Sequence, residues 1–334
     1  MRDIGIKRGA AALAAAVSLL LVSGGTASAV PTGLEVTGWI LGSGTNRLVD
    51  RNADGITTLS VDGVLLHSDG AGVDAPDGDA KRLLRAAHHH GLTAELLVSN
   101  YSDALGDFDP HANHRLLSDD DHIAAVAARV GRFVRTQGWD GVNVDLERVR
   151  KGDGAGLVRF VQAIQAAMPA DRTVSIDVSA STSQRAYRDR GYRLAGIARA
   201  ADVIDLMTYD LHGPTWSGPG PVGALPWQRD ALESLLDVVP PEQVQLGVAG
   251  YGYTWPRQGT GRSISPKHAR NLVERDGAQP HWKARDGEWT ARLSNGTVLW
   301  WSDGRSYRKR IALAREYDVR GLAVWRLGSA DTLH

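Results

Sequence analysis

Short apolar runs alternate with amphipathic stretches along most of the 334-residue chain. Apolar runs of about four to eight residues are typical of strands, whereas apolar positions three or four apart are typical of helices. The amphipathic stretches predict helices at 79–90, 119–137, 156–168, 192–201, 226–238 and 305–317. The short apolar runs predict eight strands, at 34–41, 57–66, 92–99, 141–146, 173–179, 203–209, 244–253 and 321–327.

Eight strands that alternate with helices predict a single parallel (β/α)8 barrel, that is, a TIM barrel. A doubly wound open sheet is the competing architecture, but no Gly-x-Gly-x-x-Gly follows the first strand, which weakens a dinucleotide-binding version of it. Between residues 256 and 301 the pattern breaks into short polar and aromatic pieces. We interpret 256–301 as a small α+β insertion between the seventh strand and its helix. Ser118, followed by three aspartates, is a candidate N-cap for the second helix.

The first 29 residues have the composition of an export signal. A basic segment precedes an apolar run at 10–22, and the Ala-Ser-Ala of 27–29 has the small-x-small pattern of a cleavage site. The run is shorter than the roughly 20 residues that a membrane span needs, so a secretory signal peptide is favoured over a membrane anchor. We expect cleavage near Ala29, secretion of residues 30–334, and no membrane association afterwards.

Composition excludes several kinds of chemistry. The chain has no cysteine, which excludes disulfides, thiol catalysis and thiolate metal sites. Lys and Arg number 38, as do Asp and Glu, whereas a general nucleic-acid-binding protein carries a basic excess. Ten Trp stand against three Phe, and a core has no reason to prefer indole over phenyl, so we expect some of the tryptophans to face a ligand.

Two patterns resemble metal sites and are better explained otherwise. Residues 50–55 (Asp-x-Asn-x-Asp-Gly) open like a calcium loop, but the twelfth position is Val61 instead of Glu. His88, His89 and His90 are consecutive at the end of a predicted helix, and adjacent residues on a helix point in different directions. We therefore expect neither a metal nor a cofactor.

One predicted strand carries two carboxylates and an amide on a single face. In the segment 140–147, Asn143, Asp145 and Glu147 alternate with apolar residues, so the three polar side chains share one face. In a barrel that face points inward, where carboxylates are costly unless they are paired or functional. Glu147 comes last, at the carboxyl end of the strand, where barrel active sites lie.

Residues 140–147 resemble the Asp-Gly-x-Asp-x-Asp-x-Glu signature on the fourth strand of glycoside hydrolase family 18. This family includes chitinases, endo-β-N-acetylglucosaminidases and cortex-lytic peptidoglycan N-acetylglucosaminidases. Asn143 and the Tyr251-Gly-Tyr253 pattern resemble the spore-wall and peptidoglycan branch more than the insect or bacterial chitinases. Three later stretches resemble further motifs of the family in the same order: Leu-Met-Thr-Tyr-Asp at 206–210, Gly-Val-Ala-Gly-Tyr-Gly-Tyr-Thr-Trp at 247–255, and Gly-Leu-Ala-Val-Trp-Arg-Leu-Gly at 321–328.

The resemblance implies that residues 30–334 are a retaining glycosidase domain that cleaves β-1,4 bonds next to N-acetylglucosamine. The family belongs to the substrate-assisted class, in which the acetamido oxygen of the substrate attacks the anomeric carbon. It implies that Glu147 is the acid and then the base, and that Asp145 keeps Glu147 protonated and stabilises the oxazolinium intermediate. Tyr209 is implied to donate to the acetamido oxygen, and Asp210 to hold the distorted sugar.

Trp325 is implied to stack on a sugar ring, with a core position as the alternative. Asn143 departs from the family pattern, since the chitinase form has aspartate there. An amide can hydrogen-bond to Asp145, but it adds no charge and cannot share a proton. The predicted substrate-binding residues are Trp325, Met207, Tyr251, Trp39 and Asp140.

Several alternatives stay open at this stage. Asp177 has either a structural or a substrate-lining role beside Ser175 and Ser179. A catalytically silent sugar-binding protein on the same barrel is the alternative function, although such proteins typically lose the acid at position 147. We expect a monomer whose partner is an N-acetylglucosamine-containing polysaccharide or oligosaccharide and not a nucleic acid. Four tryptophans form either the core of the insertion or a wall of the sugar cleft: Trp282, Trp289, Trp300 and Trp301.

Overall fold

The computed structural model describes residues 33–334, so the predicted signal peptide lies outside the described residues. The helices are α1 (Asn46–Asp50), α2 (Gly78–His89), α3 (Pro110–Leu117), α4 (Asp120–Gln137), α5 (Gly154–Ala167), α6 (Gln184–Asp189), α7 (Leu194–Ala200), α8 (Leu225–Leu236), α9 (Pro266–Asp276) and α10 (Gly304–Glu316). The strands are β1 (Glu35–Leu41), β2 (Thr58–Leu65), β3 (Thr93–Ser99), β4 (Tyr101–Ser102), β5 (Asp107–Phe108), β6 (Gly141–Asp145), β7 (Thr173–Ser179), β8 (Val203–Met207), β9 (Val244–Ala249), β10 (Gly252–Trp255), β11 (Ser263–Ile264), β12 (His281–Lys283), β13 (Glu288–Arg292), β14 (Val298–Trp301) and β15 (Gly321–Trp325).

Eight parallel strands close into a barrel in the order β1-β15-β9-β8-β7-β6-β3-β2. The predicted TIM barrel is therefore confirmed. The outward-facing apolar residues of the strands pack on the surrounding helices. On β6, for example, Val142 and Val144 belong to the same buried cluster as Leu157 and Phe160 of α5. This packing leaves the other face of each strand to point into the barrel.

Helix α4 begins one residue later than the candidate N-cap predicts. Asp119 is the N-cap, and its carboxylate accepts hydrogen bonds from the backbone N–H groups of Asp121 and His122. Ser118 instead ends the preceding helix α3, and its hydroxyl donates to the carbonyl of His114. The sequence did not predict α3, and for that reason Ser118 was assigned to the wrong helix end.

An insertion of five antiparallel strands, in the order β11-β10-β14-β13-β12, lies with α9 between β9 and α10. It starts earlier than predicted, because the apolar stretch 244–253 is two strands instead of one. The barrel strand ends at Ala249, and Gly252–Trp255 forms β10 of the insertion. An apolar run cannot show such a change of partner. Gly250 and Gly252 mark it, since a Cβ at Gly252 would lie 2.2 Å from the carbonyl oxygen of Trp300.

A buried ion pair joins this insertion to the barrel. Glu288 of β13 and Arg310 of α10 are both 1% exposed, with a closest N–O distance of 3.3 Å. The Glu288 carboxylate also accepts the backbone N–H groups of Val222 and Gly223, each at 2.8 Å. Arg310 donates to the side chain of Gln228 at 3.0 Å and to neighbouring backbone carbonyls. Both charges are thus hydrogen-bonded on several sides, which offsets much of the cost of burying them.

Of residues 33–334, no helix is both long enough and apolar enough to cross a membrane.

Candidate active site

The polar face of β6 leads from the barrel interior to its carboxyl end. Asn143 and Asp145 are buried, whereas Glu147, just beyond the strand, is half-buried. The backbone at Glu147 is held by two amide side chains that the sequence did not single out. Asn100 accepts the Glu147 N–H at 2.8 Å, and both Asn100 and Asn113 donate to its carbonyl, at 3.1 and 2.6 Å. These contacts fix the direction in which Glu147 leaves the strand.

Two cavities at the carboxyl ends of the barrel strands share Asp210 in their walls, and together we call them the cleft. The smaller, about 450 Å³, is lined by Glu147, Tyr209 and Asp210. The larger, about 1060 Å³, is lined by Asp145, Asp210 and Trp325. Asp210 lines both cavities and therefore marks their junction. Other residues of the two walls include Met207, Trp216, Trp227, Tyr101, Phe108, Tyr251 and Tyr253.

Burial raises the pKa values of the carboxyl groups of the cleft. Burial raises the pKa of Glu147 well above its usual range, and the nearby Asp145 and Asp210 raise it further. Arg148 acts in the opposite direction. Burial also raises the pKa of Asp145 to about 7, with Ser99 lowering it through a hydrogen bond and Asp62 raising it. Burial is therefore a larger cause for Glu147 than the neighbouring anion that the sequence suggested, and Glu147 can hold a proton near neutral pH.

Asp210 is oriented by two tyrosine hydroxyls. Tyr251 and Tyr253 both donate to Oδ1 of Asp210, at 2.5 and 2.8 Å. Asp210 has a φ of 61°, a left-handed conformation that is uncommon outside glycine and is often found at functional sites. Although its side chain opens on the cleft, the surrounding protein still desolvates the Asp210 carboxyl and raises its pKa. Tyr251 therefore lines the cleft, as its predicted role requires, and also holds Asp210.

Trp325 lies half-buried in the wall of the larger cavity, and the peptide bond that follows it is cis. Trp39 packs edge-on against it, with ring centroids 5.8 Å apart. Trp39 is only 1% exposed, and its indole N–H donates to Oδ1 of Asn143 at 3.2 Å. A direct substrate contact by Trp39 does not fit this burial. Trp39 instead supports Trp325 from behind and fixes the amide of Asn143.

Asp140 is not brought to the cleft. It precedes β6 at the amino end of the barrel, about 23 Å from Glu147 along an extended chain. Its carboxylate pairs with His88 at 2.7 Å and Arg172 at 3.1 Å, and it accepts the backbone N–H of Ala94. The predicted substrate contact of Asp140 is therefore wrong, because the residue joins strands at the opposite end of the barrel.

Asn143 is the centre of a buried polar network. Its amide N–H groups donate to Ser175 and Asp177, both at 2.9 Å, and lie 3.4 Å from Asp205. Asp177 is 3% exposed, and its hydrogen bond with Asn143 lies in the barrel interior. These contacts fit the structural alternative for Asp177. Asp205 and Glu95, which sequence reasoning missed, are buried in the same interior. Their inward positions in the strand alternation were the signal that could have found them.

The tryptophans of the insertion divide between its two faces. Trp301 and Trp289 stack with centroids 6.2 Å apart in the core of the insertion. Trp300, the neighbour of Trp301, packs instead against the aromatic cluster that includes Tyr251 and Tyr253. Trp282 packs under the guanidinium of Arg305, 4.1 Å from its ring centroid. The core alternative thus describes Trp289 and Trp301, while Trp300 backs the cleft.

Within residues 33–334, no group of three or more His, Asp or Glu side chains is arranged to hold a metal ion. The consecutive histidines are separated by their partners, since His88 pairs with Asp140 and His90 with Asp50.

Comparison with known sequences agrees with this geometry. Residues 95–330 match the sequence model of glycosyl hydrolases family 18. The chain belongs to glycoside hydrolase family 18, and it is a glycosidase related to chitinases and spore cortex-lytic enzymes.

Three relatives illustrate the range of similarity. YvbX of Bacillus subtilis, an uncharacterized glycosylase, is 25% identical over 262 residues, which cover 75% of this chain and 76% of that protein. The cortical fragment-lytic enzyme of the same organism is 24% identical over 71% of this chain and 57% of its own length. A solved chitinase structure from Chromobacterium violaceum superimposes with a TM-score of 0.79 at 26% identity, over 89% of this chain and 95% of that one.

Proposed function

We propose that this protein is a secreted glycosidase that cleaves β-1,4 bonds next to N-acetylglucosamine in chitin, chitooligosaccharides or peptidoglycan. The observation that carries the proposal is the half-buried carboxyl of Glu147, which lines the smaller cavity together with Asp210 and has its pKa raised by burial and by the nearby Asp145. The basic, apolar and small-residue pattern of the first 29 residues supports secretion.

Glu147 acts first as the acid of a substrate-assisted reaction. It protonates the glycosidic oxygen while the acetamido oxygen of the sugar attacks the anomeric carbon, and the bond to the leaving sugar breaks. The intermediate is a positively charged oxazolinium ring. The Glu147 carboxylate then removes a proton from water, which attacks the anomeric carbon and restores the acetamido group with retained configuration.

Asp145 and Tyr209 act on the acetamido group. Asp145, in its anionic form, accepts the acetamido N–H and stabilises the positive intermediate. The hydroxyl of Tyr209 is available to donate to the acetamido oxygen, and burial keeps it protonated by raising the pKa of Tyr209. Asp210, held by Tyr251 and Tyr253, contacts the distorted sugar at the junction of the cavities.

Aromatic side chains line both cavities of the cleft, along which the glycan binds. Trp325 offers a ring face in the larger cavity, and Met207 contributes to the wall of the smaller one. Trp216, 54% exposed at the edge of the smaller cavity, was not predicted as a contact. A cleft that extends from the cavity of Glu147 into a second, larger cavity supports binding of several sugar units.

The proposal is tested with Glu147→Gln, which keeps the size of the side chain but removes the proton. We expect the rate on chitooligosaccharides or purified peptidoglycan to fall at least about 10²-fold, the usual contribution of a general acid. Mass spectrometry of the products should show N-acetylglucosamine at the new reducing end of the wild-type reaction. The same experiment separates chitin from peptidoglycan as substrate.

Glu242→Gln is the matched control, because Glu242 is exposed and precedes β9 at the amino end of the barrel. It should leave the rate unchanged. Wild-type rates in Glu147→Gln, or no cleavage of any acetamido glycan by the wild-type protein, would refute the proposal.

A further inference from the structure

The two cavities of the cleft differ in the charge of their walls. Among the described residues, the smaller cavity is lined by one guanidinium, that of Arg190, and by the carboxyl groups of Glu147 and Asp210. The larger cavity is also lined by one guanidinium, that of Arg326, but by six carboxyl groups: Asp62, Asp74, Asp77, Asp103, Asp145 and Asp210. A negatively charged substituent of a glycan is therefore repelled much less in the smaller cavity.

The proposed reaction places the leaving sugar in the smaller cavity. Asp145, which accepts the acetamido N–H, and Trp325, which offers its ring face, both line the larger cavity. Glu147, which protonates the oxygen of the broken bond, lines the smaller one. The sugar that is attacked therefore binds on the side of the larger cavity, and the sugar that departs binds on the side of the smaller cavity. Its volume of about 450 Å³ lies within the range of cavities that bind small ligands.

A hydroxyl group without a partner lies in the wall of the smaller cavity. Ser181 follows β7 at the carboxyl end of the barrel, and it is 5% exposed. Its Oγ has no hydrogen-bond partner among the described residues, whereas the hydroxyl of the nearby Ser179 bonds to that of Tyr192 at 3.2 Å. A buried hydroxyl without a partner is unfavourable. A ligand in the cavity supplies the missing acceptor when the Ser181 side chain turns to another rotamer.

Arg190 is held beside this hydroxyl and has donors to spare. It ends α6, and its Nη1 donates to the carbonyl oxygen of Ala180 at 3.0 Å. Because Ala180 directly precedes Ser181, this bond keeps the guanidinium next to the segment that carries the hydroxyl. Arg190 forms no ion pair within residues 33–334, and the adjacent Asp189 pairs with two other cations. The remaining N–H groups of the guanidinium match the two oxygens of a carboxylate.

We propose that Arg190 and Ser181 select a leaving sugar that carries a carboxylate on O3, as muramic acid does. This inference rests on the proposed function and deepens it by naming the leaving sugar. In muramic acid a lactyl ether occupies O3, next to O4, and O4 is the oxygen that Glu147 protonates. The lactyl carboxylate therefore stays within the smaller cavity, where the guanidinium of Arg190 and the hydroxyl of Ser181 donate to it. A chitin chain has only a hydroxyl at O3 and gains no charged contact.

The charge of the lactyl group depends on what is attached to it. A peptide joined to the group through an amide bond leaves it neutral. Hydrolysis of that amide breaks the C–N bond with the addition of water, and it leaves a carboxylate on the glycan and an ammonium group on the peptide. The class of reaction that supplies the preferred substrate is therefore an amide hydrolysis that removes peptides from the strand.

The test uses soluble glycan strands of alternating N-acetylglucosamine and N-acetylmuramic acid in two forms. The acid form has free lactyl carboxylates, and in the amide form carbodiimide coupling with methylamine has made them neutral. The selectivity ratio is kcat/KM on the acid form divided by kcat/KM on the amide form. We expect a wild-type ratio of about 5 at low salt. Because Arg190 is exposed, the ratio should fall toward 1 in about 1 M NaCl.

Arg190→Gln should lower the selectivity ratio about 5-fold, since glutamine can donate a hydrogen bond but carries no charge. Arg190→Lys keeps the charge without the fork and should give an intermediate ratio. Ser181→Ala should lower the ratio only about 2-fold, because the hydroxyl can also donate to the neutral amide. If Arg190 only held the carbonyl of Ala180, its replacement would change both kcat/KM values alike and keep the wild-type ratio.

Arg188→Gln is the matched control, because Arg188 is exposed on α6 but lines a different cavity outside the cleft. It should keep the wild-type ratio. Thermal unfolding checks that each variant folds, and the salt dependence of the wild-type ratio tests the charged contact even if Arg190→Gln does not fold.

Three results would overturn the inference and leave the proposed function in place. They are a wild-type ratio near 1, a wild-type ratio in folded Arg190→Gln, and cleavage of chitooligosaccharides without cleavage of either strand form. Failure of the proposed function is a separate result, since it requires Glu147→Gln to be fully active or the wild type to be inactive on every acetamido glycan. Inactivity of the wild type would overturn the inference as well.

Discussion

Buried charged groups have different partners in the barrel interior and at the junction between the insertion and the barrel. At the junction, Glu288 faces Arg310, and both are hydrogen-bonded to backbone and side-chain groups. In the interior, Asp145, Asp177 and Asp205 lie on neighbouring strands, and one oxygen of Asp145 has no hydrogen-bond partner among the described residues. The pair at the junction holds parts of the fold together, whereas the interior carboxyls have no cation paired with them among the described residues.

The difference indicates where stability and chemistry reside. Burial raises the pKa of Glu288 too, but Arg310 and the backbone N–H groups of Val222 and Gly223 act against that rise. The crowded carboxyls face one another, and burial together with those neighbouring charges raises their pKa values. Changes at the junction should alter unfolding, and changes in or near the interior should alter pH dependence.

The largest effect is expected from Arg310→Ala. This change leaves Glu288 buried without its cation, which typically costs about 3–5 kcal/mol of unfolding free energy. Chemical denaturation measures the loss, and the pH limbs of kcat should stay in place while the protein is folded.

Arg308→Ala is the control, because Arg308 is exposed on the same helix, and it should change stability by less than about 0.5 kcal/mol. The double variant Glu288→Gln/Arg310→Met should be more stable than Arg310→Ala, since it leaves no lone charge. If Arg310→Ala and Arg308→Ala were equally stable, the buried ion pair at the junction would not contribute to stability as proposed.

A smaller effect is expected from Glu95→Gln in the interior. Burial raises the pKa of Glu95 from 4.5 to about 7, with Ser175 and Thr173 acting against it through hydrogen bonds. A carboxyl with a raised folded-state pKa contributes its full stability below pH 4.5 and loses that contribution as the pH rises through 7. Wild-type unfolding free energy should therefore fall by up to about 3 kcal/mol over this range because of Glu95.

In Glu95→Gln, the unfolding free energy should not show the part of this pH-dependent decrease that Glu95 causes. The readout is the difference in unfolding free energy between pH 5 and pH 8. The substitution also removes a hydrogen bond, but that loss lowers stability at both pH values and therefore cancels in the difference. Glu274→Gln, an exposed change on α9, should keep the wild-type difference. The same pH dependence in both variants would show that Glu95 is not a source of the interior's pH sensitivity.

The smallest effect is expected from Arg148→Gln at the rim of the cleft. Arg148 lowers the pKa of Glu147, so its removal should raise that pKa further. The acid form of Glu147 then persists to higher pH, and the alkaline limb of kcat should move up by a few tenths of a pH unit. Because Arg148 is exposed, about 1 M salt should abolish the shift. A downward shift, or an equal shift in Arg132→Gln on the outer surface of α4, would contradict this electrostatic role.

The sequence predicted the barrel and the ends of most strands because period and apolar runs reflect local geometry. It also placed Asn143, Asp145 and Glu147 on one face, since alternation along a strand is fixed. Asp140 precedes the strand and therefore belongs at the amino end of a parallel barrel; it was misplaced because it was grouped with the other residues of the same motif. The partners of Asn143, on β1, β7 and β8, depend on barrel closure, which no local pattern records.

Successive tryptophans on strand β14 point to opposite sides, which matters for engineering of the cleft. Trp301 points into the core of the insertion, and Trp300 points to the aromatic cluster behind the cleft. The insertion and the wall of the cleft are therefore continuous through the backbone of β14. A loop exchange intended to change the length of glycan accepted would have to transplant residues 250–301 as a block, because a shorter graft would detach the wall from its support.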